Sequence, residues 1–345
     1  MQPSHNQPPA RRRNRPHTAG RRHRRGRVFA GGEPLRSTTG SNVTIVKKRR
    51  FQMRFIVPIV LLIAGFSTMA HGETALNVYA VNYPLAYFAE RIGTPHVAVT
   101  FPAPPDTDPA FWSPDQDTIR QYQQADLILL NGAGYAKWTQ KVSLPMLRTV
   151  DTSRRFRDTL INIEDSVTHS HGPEGDHSHG DIAFTTWLDF SQAAQQAEEI
   201  LVAFIKKRPQ HKEVFTQNYE ALAQDLMDLD EQMLEVGKRL DGIALFASHP
   251  IYHYLARRYL LNLEMVTWEP DVSPSDAQWH HLTELHRDHP AKWMIWEGEP
   301  LASSARRLEE MNITGLVFSP CFSTPTSGDF ITVMKENIAH LEGIL

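Results

Sequence analysis

The stretch FTQNYEALAQDLMDLDEQMLEVGKRL, residues 215–240, determines how the rest of the chain is interpreted. Its apolar residues recur at intervals of three and four, which predicts one long amphipathic helix of roughly 40 Å. The apolar face consists of Phe215, Tyr219, Leu222, Leu226, Leu229, Met233, Val236 and Leu240. A coiled coil would have similar spacing, but the position between two α/β segments favours a single connecting helix over residues 212–241.

Short apolar runs alternate with helical patterns on both sides of this helix. Strands are predicted at residues 75–81, 96–101, 126–130, 243–248, 263–268, 292–296 and 315–319. Alternating strands and helices are typical of parallel sheets with helices on both faces. We therefore predict an α/β fold with two Rossmann-like lobes, residues 73–211 and 242–345, joined by the connecting helix.

The first 72 residues have a different composition and predict export. Residues 1–52 are basic and contain few apolar residues, so we expect a disordered basic extension. They could also be an over-long start, because Met53 opens a signal-peptide pattern over residues 53–72. The twelve-residue apolar run FIVPIVLLIAGF is preceded by Lys47, Lys48, Arg49, Arg50 and Arg54, and small residues follow it. The run is too short to span a bilayer, which favours cleavage over a membrane anchor.

The charge distribution restricts the possible partners. Residues 1–54 hold fifteen of the 36 Lys and Arg residues but only one of the 39 acids, so the remainder carries 21 basic and 38 acidic residues, a formal charge of −17. This acidic charge argues against nucleic-acid or anionic-membrane partners and permits cationic cargo. The single cysteine, Cys321, cannot form an internal disulfide.

A histidine-rich segment, HSHGPEGDHSH over residues 169–179, interrupts the first lobe. Two His-x-His pairs flank a turn of Gly, Pro and acidic residues. Imidazole is a good ligand for zinc, copper and nickel, so this loop is a candidate metal-binding element. Its candidate ligands are His169, His171, His177 and His179.

Several short motifs, in a fixed order, resemble the zinc/manganese substrate-binding proteins of ABC importers. The resemblance covers roughly residues 75–345 and includes the histidine-rich loop. The motifs are YPL at 83–85, AERI at 89–92, ADLILLNG at 125–132, WLD at 187–189, SHP at 248–250, YLARRY at 254–259 and MKENI at 334–338. This family implies two α/β lobes on one long helix, with a metal ion held between the lobes.

The resemblance also implies a metal pocket that is largely rewritten here. Family members have a histidine where this chain has Ala110, and another where it has Thr185. An aspartate of the family falls at Ser319. The third family histidine remains, as His249. Ala110 cannot coordinate a metal, and hydroxyl groups are poor zinc ligands compared with imidazole or carboxylate.

Other donors must therefore complete a site. Glu297 and Glu299 follow a predicted strand, at the carboxyl edge where parallel sheets bind ligands. We expect His249, Glu297 and Glu299 to bind the metal, and the cleft to be lined by Asp108, Trp112, Thr185, Trp187, His280 and Ser319. Each has an ordinary alternative: the glutamates could pair with Arg306 or Arg307, and the tryptophans could pack between the lobes. His280 and its neighbour His281 could be solvated helix residues.

The expected function is that of a periplasmic solute-binding protein of a metal ABC importer, with zinc as cargo before manganese. Its partner would be the membrane permease, and the protein would be a monomer that neither binds nucleic acid nor inserts into the membrane. Alternatives are a zinc-buffering chaperone that acts through the histidine-rich loop, or a binder of a metal chelate or small organic ligand. A metallohydrolase is disfavoured because no His-Glu-x-x-His, nucleophile elbow or phosphate loop is present.

Overall fold

The computed structural model describes residues 74–105, 107–163, 168–170, 176–178 and 182–345. The predicted basic extension 1–52 and signal peptide 53–72 lie outside the described residues, as do His171 and His179. Within the described ranges, no helix combines the length and hydrophobicity needed to cross a bilayer.

The first lobe is built on a parallel sheet of four strands in the order β2-β1-β3-β4. The strands are β1 (Leu76–Ala80), β2 (Val97–Thr100), β3 (Leu127–Leu130) and β4 (Thr149–Asp151). The helices are α1 (Tyr83–Gly93), α2 (Gln116–Gln124) and α3 (Phe190–Lys207). Parallel strands covered on both faces are apolar throughout, and the fully buried Val78 and Ile128 illustrate this.

The histidine-rich segment contains two short antiparallel strands, β5 (Thr168–Ser170) and β6 (Asp176–Ser178). Their backbones pair with His169 opposite His177. An isolated antiparallel bridge joins Asn162 to Ile182 on either side of this hairpin. The segment therefore leaves and re-enters the first lobe at neighbouring points.

Helix α4 (Lys212–Arg239) is the connecting helix, within two residues of its predicted bounds. Its buried face contains Phe215, Leu222, Leu226, Leu229, Met233 and Val236, as the spacing predicts. This face packs against α1 and α3 of the first lobe, and against α5 (His253–Tyr259) and α8 (Phe330–Glu342) beyond it. At Gly237 a side-chain Cβ would lie 2.3 Å from the carbonyl oxygen of Tyr259, so only glycine permits this close approach.

The second lobe repeats the plan of the first. Its parallel strands are β7 (Ala244–Ala247), β8 (Asn262–Met265), β9 (Trp293–Trp296) and β10 (Thr314–Val317), in the order β10-β9-β7-β8. Helices α6 (Asp276–Asp288) and α7 (Ala302–Glu310) complete it. In each sheet the first strand lies between the second and the third, so the predicted fold of two Rossmann-like lobes on one connecting helix is confirmed.

Helices α2 and α6 both begin with a side-chain oxygen at the N-cap. Asp115 caps α2 by accepting a hydrogen bond from the Thr118 amide at 2.7 Å. In the second lobe Ser275 caps α6 and forms a capping box with Gln278. The carboxylate and hydroxyl oxygens satisfy amides that the helix itself leaves unpaired.

Candidate metal centre

Three side chains converge at the carboxyl edge of the second sheet. His249 follows strand β7, Glu269 follows β8 and Glu297 follows β9 directly. These strands are neighbours in the order β9-β7-β8. Because all are parallel, the residues that follow them emerge at one edge, where open α/β sheets bind ligands.

The spacing of the three donors is that of metal ligands. The His249 Nδ1 atom lies 3.0 Å from Glu297 Oε1 and 3.5 Å from Glu269 Oε1. One ligand atom from each residue lies within 4.8 Å of the other two. Two tetrahedral zinc ligands at their usual bond lengths are roughly 3.3 Å apart. The side chains can therefore surround one ion with little rearrangement.

The donors are well shielded from solvent. The His249 side chain is 3% exposed, and the Glu269 and Glu297 side chains are each 11% exposed. Two carboxylates beside one imidazole concentrate negative charge where little water screens it. Such an arrangement attracts a cation more strongly than the same groups would on an open surface.

Backbone hydrogen bonds hold the three strand ends together. The Ser248 amide donates to Ile295 O at 2.8 Å, and the Trp268 amide donates to Ser248 O at 2.6 Å. Trp268 and Trp296 each directly precede a donor glutamate, and their ring centroids are 6.1 Å apart. Both rings are buried, so the carboxylates extend from a packed base that restricts their movement.

The donors open into a cavity of about 290 Å³. Its lining comprises Pro105, Thr107, Asp108, His249, Glu269, Pro270, Asp271, Glu297, Gly298 and Phe322. Pro105, Thr107 and Asp108 belong to the first lobe, so the cavity lies in the cleft between the lobes. A water molecule occupies roughly 30 Å³ in the liquid, which leaves room for an ion together with several waters.

Similarity to known proteins agrees with this architecture. The model of the family "Zinc-uptake complex component A periplasmic" (ZnuA) matches residues 78–343. The chain belongs to this family. The relationship anticipated from the short sequence motifs is thereby confirmed.

Individual relatives in the family are distant. The high-affinity zinc uptake system protein ZnuA of Yersinia pestis is 20% identical over 72% of this chain and 82% of its own length. The manganese-binding lipoprotein MntA of Bacillus subtilis is 22% identical over 76% and 85%. A metal ABC transporter substrate-binding lipoprotein of Streptococcus cristatus, ScbA, is 25% identical over 62% and 70%.

Solved structures of similar proteins share the fold. The metal-dependent lipoprotein YcdH of Bacillus subtilis superimposes with a TM-score of 0.67 at 22% identity, covering 78% of this chain and 99% of YcdH. The Zn(II)-bound ZnuA-like domain of AdcA from Streptococcus pneumoniae gives 0.65 at 21%, covering 78% and 98%. At these identities, the likeness concerns the fold alone.

The first-lobe positions where the resemblance implies ligands are buried, and one of them contacts the second lobe. Thr185 is buried, and its Oγ1 hydroxyl donates to the carbonyl oxygen of Ile251 in the second lobe. Nearby, the fully buried Trp187 donates from Nε1 to Pro320 O at 2.7 Å. Ala110 is fully buried as well. This part of the cleft is packed, and the donor cluster lies beside it.

Ser319 is held by hydrogen bonds to neighbouring residues of the second lobe. Its amide donates to Asn337 Oδ1 at 2.9 Å, and its carbonyl oxygen accepts from Asn337 Nδ2 at 2.7 Å. Its hydroxyl accepts from the Cys321 amide at 3.2 Å. These bonds fix the loop between β10 and α8. Among the described residues, neither Ser319 nor Thr185, Trp187 or Trp112 lines the donor cavity.

Glu299 lies apart from the donors, although the sequence groups it with Glu297. It lines a second cavity, of about 490 Å³, beside the edge strand β10, with Trp293, Glu309 and His340 among its neighbours. The chain turns at Gly298, and the Leu301 amide donates to Pro270 O at 2.9 Å. This turn carries Glu299 away from the edge where Glu297 points.

His280 faces solvent, as does His281. The His280 side chain is 75% exposed and its Nδ1 atom lies 3.6 Å from Glu284 Oε1. Helix α6 buries Trp279 and Leu282 instead. One step along a helix rotates a side chain by about 100°, which turns the neighbouring histidines outward.

Glu269 is the donor that sequence reasoning missed. A signal for it exists, because the dipeptide Trp-Glu occurs twice, at 268–269 and at 296–297. In each copy the tryptophan is the last residue of a predicted strand of the second lobe, and the glutamate follows it. A search for repeated residues at the ends of neighbouring parallel strands would have identified it.

Proposed function

We propose that the chain is the substrate-binding component of a metal ABC importer whose cargo ion, zinc first, is held by His249, Glu269 and Glu297. The observation that carries this proposal is the convergence of one imidazole and two carboxylates within 4.8 Å in the interlobe cavity. Membership of a zinc-uptake family supports the assignment.

The donor chemistry suits a divalent transition metal. Zinc is commonly bound by histidine nitrogen and carboxylate oxygen, and manganese accepts the same groups with a stronger preference for oxygen. For a given site, zinc generally binds more tightly than manganese. Zinc is therefore the first cargo and manganese the second.

The proposed role in transport also implies the partners and the location of the protein. Substrate-binding proteins of ABC importers work with a membrane permease and an ATPase, and relatives of this chain are periplasmic or lipoprotein components of such systems. The proposed protein is exported by the signal peptide at residues 53–72, acts in the periplasm as a monomer, and binds no nucleic acid. It captures and releases its ion without catalysis.

The histidine-rich hairpin requires its own control, because its imidazoles can bind zinc independently of the cleft. We define the loop-histidine variant as the full chain with His169→Ser, His171→Ser, His177→Ser and His179→Ser. Zinc affinity is measured in this variant by competition with a chelator, and zinc stoichiometry by native mass spectrometry. We expect one tight site to remain.

Two matched pairs of substitutions then test the cleft. In the loop-histidine variant, Glu297→Gln is compared with Glu299→Gln, and His249→Ala with His280→Ala. Loss of a residue that only supports a ligand typically costs 10–100-fold in metal affinity. Loss of a direct donor should therefore weaken zinc binding at least about tenfold, with little effect from the matched controls.

Two outcomes would overturn the proposal. If the loop-histidine variant binds no zinc, the chain functions as a zinc buffer through its hairpin. If that variant binds zinc but His249→Ala leaves the affinity unchanged, the ion lies elsewhere than the donor cluster.

A further inference from the structure

The three donors all belong to the second lobe. An ion held by His249, Glu269 and Glu297 alone would leave the first lobe without a direct contact to the cargo. Binding would then not be coupled to the relative position of the lobes. The first-lobe side of the cavity is formed by Pro105, Thr107 and Asp108 among the described residues.

Among the described residues, Asp108 supplies the carboxylate on that side. Its Oδ1 atom accepts a hydrogen bond from the Ala110 amide at 2.8 Å. Its carbonyl oxygen accepts from the amides of Phe111 at 3.1 Å and Trp112 at 2.9 Å. These bonds close a tight turn anchored by the fully buried Ala110. The carboxylate is therefore held in place rather than swinging on a loose loop.

The turn is also connected to the opposite lobe. The Ser323 hydroxyl donates to Thr107 O at 3.3 Å. Ser323 belongs to the second lobe and directly follows Phe322, which lines the cavity. The negative charge of Asp108 also acts on the buried side chain of Tyr135. Burial raises the pKa of Tyr135 well above its usual value, and the charge of Asp108 adds to this increase.

We propose that Asp108 is the fourth ligand of the cargo ion, supplied across the cleft by the first lobe. This inference rests on the proposed function of the donor cluster. It makes the ion a bridge between the lobes, held by one imidazole and three carboxylates. It also replaces the first-lobe ligands that the resemblance implies at Ala110 and Thr185 with a donor two residues before Ala110.

The donor set predicts how the site discriminates between metals. Carboxylate suits manganese, whereas imidazole suits zinc. A site with three carboxylates should therefore favour zinc over manganese by less than a site richer in histidine. Asp108→His should increase the ratio of zinc to manganese affinity, because it exchanges an oxygen donor for a nitrogen donor.

The experiment compares Asp108→Asn with Asp271→Asn in the full chain. Both residues line the same cavity and both changes remove one negative charge, so general electrostatic effects are matched. In Asp108→Asn the new amide group retains an oxygen that can accept the hydrogen bond from the Ala110 amide, and thermal unfolding checks that the fold is intact. Zinc affinity is measured by chelator competition, and the coordination of bound Co²⁺ by its visible absorption, both in the loop-histidine variant.

We expect Asp108→Asn to weaken zinc binding at least about tenfold and to change the Co²⁺ spectrum. Asp271→Asn should weaken zinc less than about threefold and leave the spectrum unchanged, as for a charge that acts through solvent. If the two variants weaken zinc equally and both spectra match the parent, Asp108 is not a ligand. That result leaves the proposed function intact, whereas absence of zinc or cobalt binding by the parent refutes the proposed function itself.

Discussion

The two lobes share one topology but differ in what their cleft surfaces contain. The second lobe brings His249, Glu269 and Glu297 together at the carboxyl edge of its sheet. At the first-lobe positions where the resemblance implies ligands, Ala110 and Thr185 are buried, and Thr185 contacts the second lobe. Lobes of one topology can thus present quite different side chains to the cleft between them.

This difference follows from what each kind of position must satisfy. A residue packed between lobes needs a volume and hydrogen bonds that match its surroundings, which Thr185 and Trp187 provide. A metal ligand needs an ionisable or imidazole donor that reaches an open cavity. Glu269 and Glu297 meet that second requirement because each directly follows a buried tryptophan and lines the cavity.

The largest expected effect comes from removing both second-lobe carboxylates together. The double substitution Glu269→Gln and Glu297→Gln, in the loop-histidine variant, should weaken zinc binding at least about a hundredfold, because two of the three second-lobe donors become neutral amides. Chelator competition measures the loss. Zinc affinity within about threefold of the parent would break the proposed contrast between the lobes.

A histidine introduced at Thr185, where the resemblance implies a ligand, should not strengthen zinc binding. Thr185 is only 2% exposed, so the larger ring in Thr185→His overpacks the interface and removes the bond to Ile251 O. We expect the free energy of unfolding to fall by about 1–3 kcal/mol, as measured by denaturant titration. A tighter zinc site without loss of stability would show that position 185 can still contribute a ligand.

The smaller substitution Thr185→Val tests whether the role of Thr185 is packing between the lobes. Thr185→Val retains the shape but leaves the Ile251 carbonyl oxygen without its hydroxyl donor, which should cost about 1–3 kcal/mol of unfolding free energy. Zinc affinity of the loop-histidine variant should remain within about twofold, since the residue does not line the cavity. A selective loss of zinc affinity would make Thr185 part of the binding site.

The smallest effect is expected for the exposed histidine of helix α6. The His280 side chain is 75% exposed and does not line the cavity. His280→Ala should therefore change the free energy of unfolding by less than about 0.5 kcal/mol. Zinc affinity of the loop-histidine variant should not change. A tenfold loss of zinc affinity in His280→Ala would show that the metal site includes the exposed face of α6.

The architecture was predictable because repeated patterns encode it. The apolar face of α4 recurs every three or four residues, and its burial follows the predicted face. The strands are short, apolar and separated by helices, which indicates parallel sheets without any knowledge of contacts. In such cases the local sequence and the tertiary environment agree.

The binding site was only partly predictable, because it depends on how the chain turns after each strand. His249 and Glu297 lie close behind the ends of β7 and β9, so the sheet edge locates them. Glu299 lies two residues beyond Glu297, yet the turn at Gly298 directs it to another cavity. Glu269 lies four residues past the end of β8, where the pattern of the strand no longer fixes direction.

The most direct test of the account is a crystal structure of the zinc-loaded full chain with anomalous scattering recorded at the zinc absorption edge. The account predicts one strong peak at roughly 2.0–2.2 Å from His249 Nδ1 and from carboxylate oxygens of Glu269 and Glu297. A cleft without such a peak, or a peak at Thr185 and Ser319 instead, would contradict it.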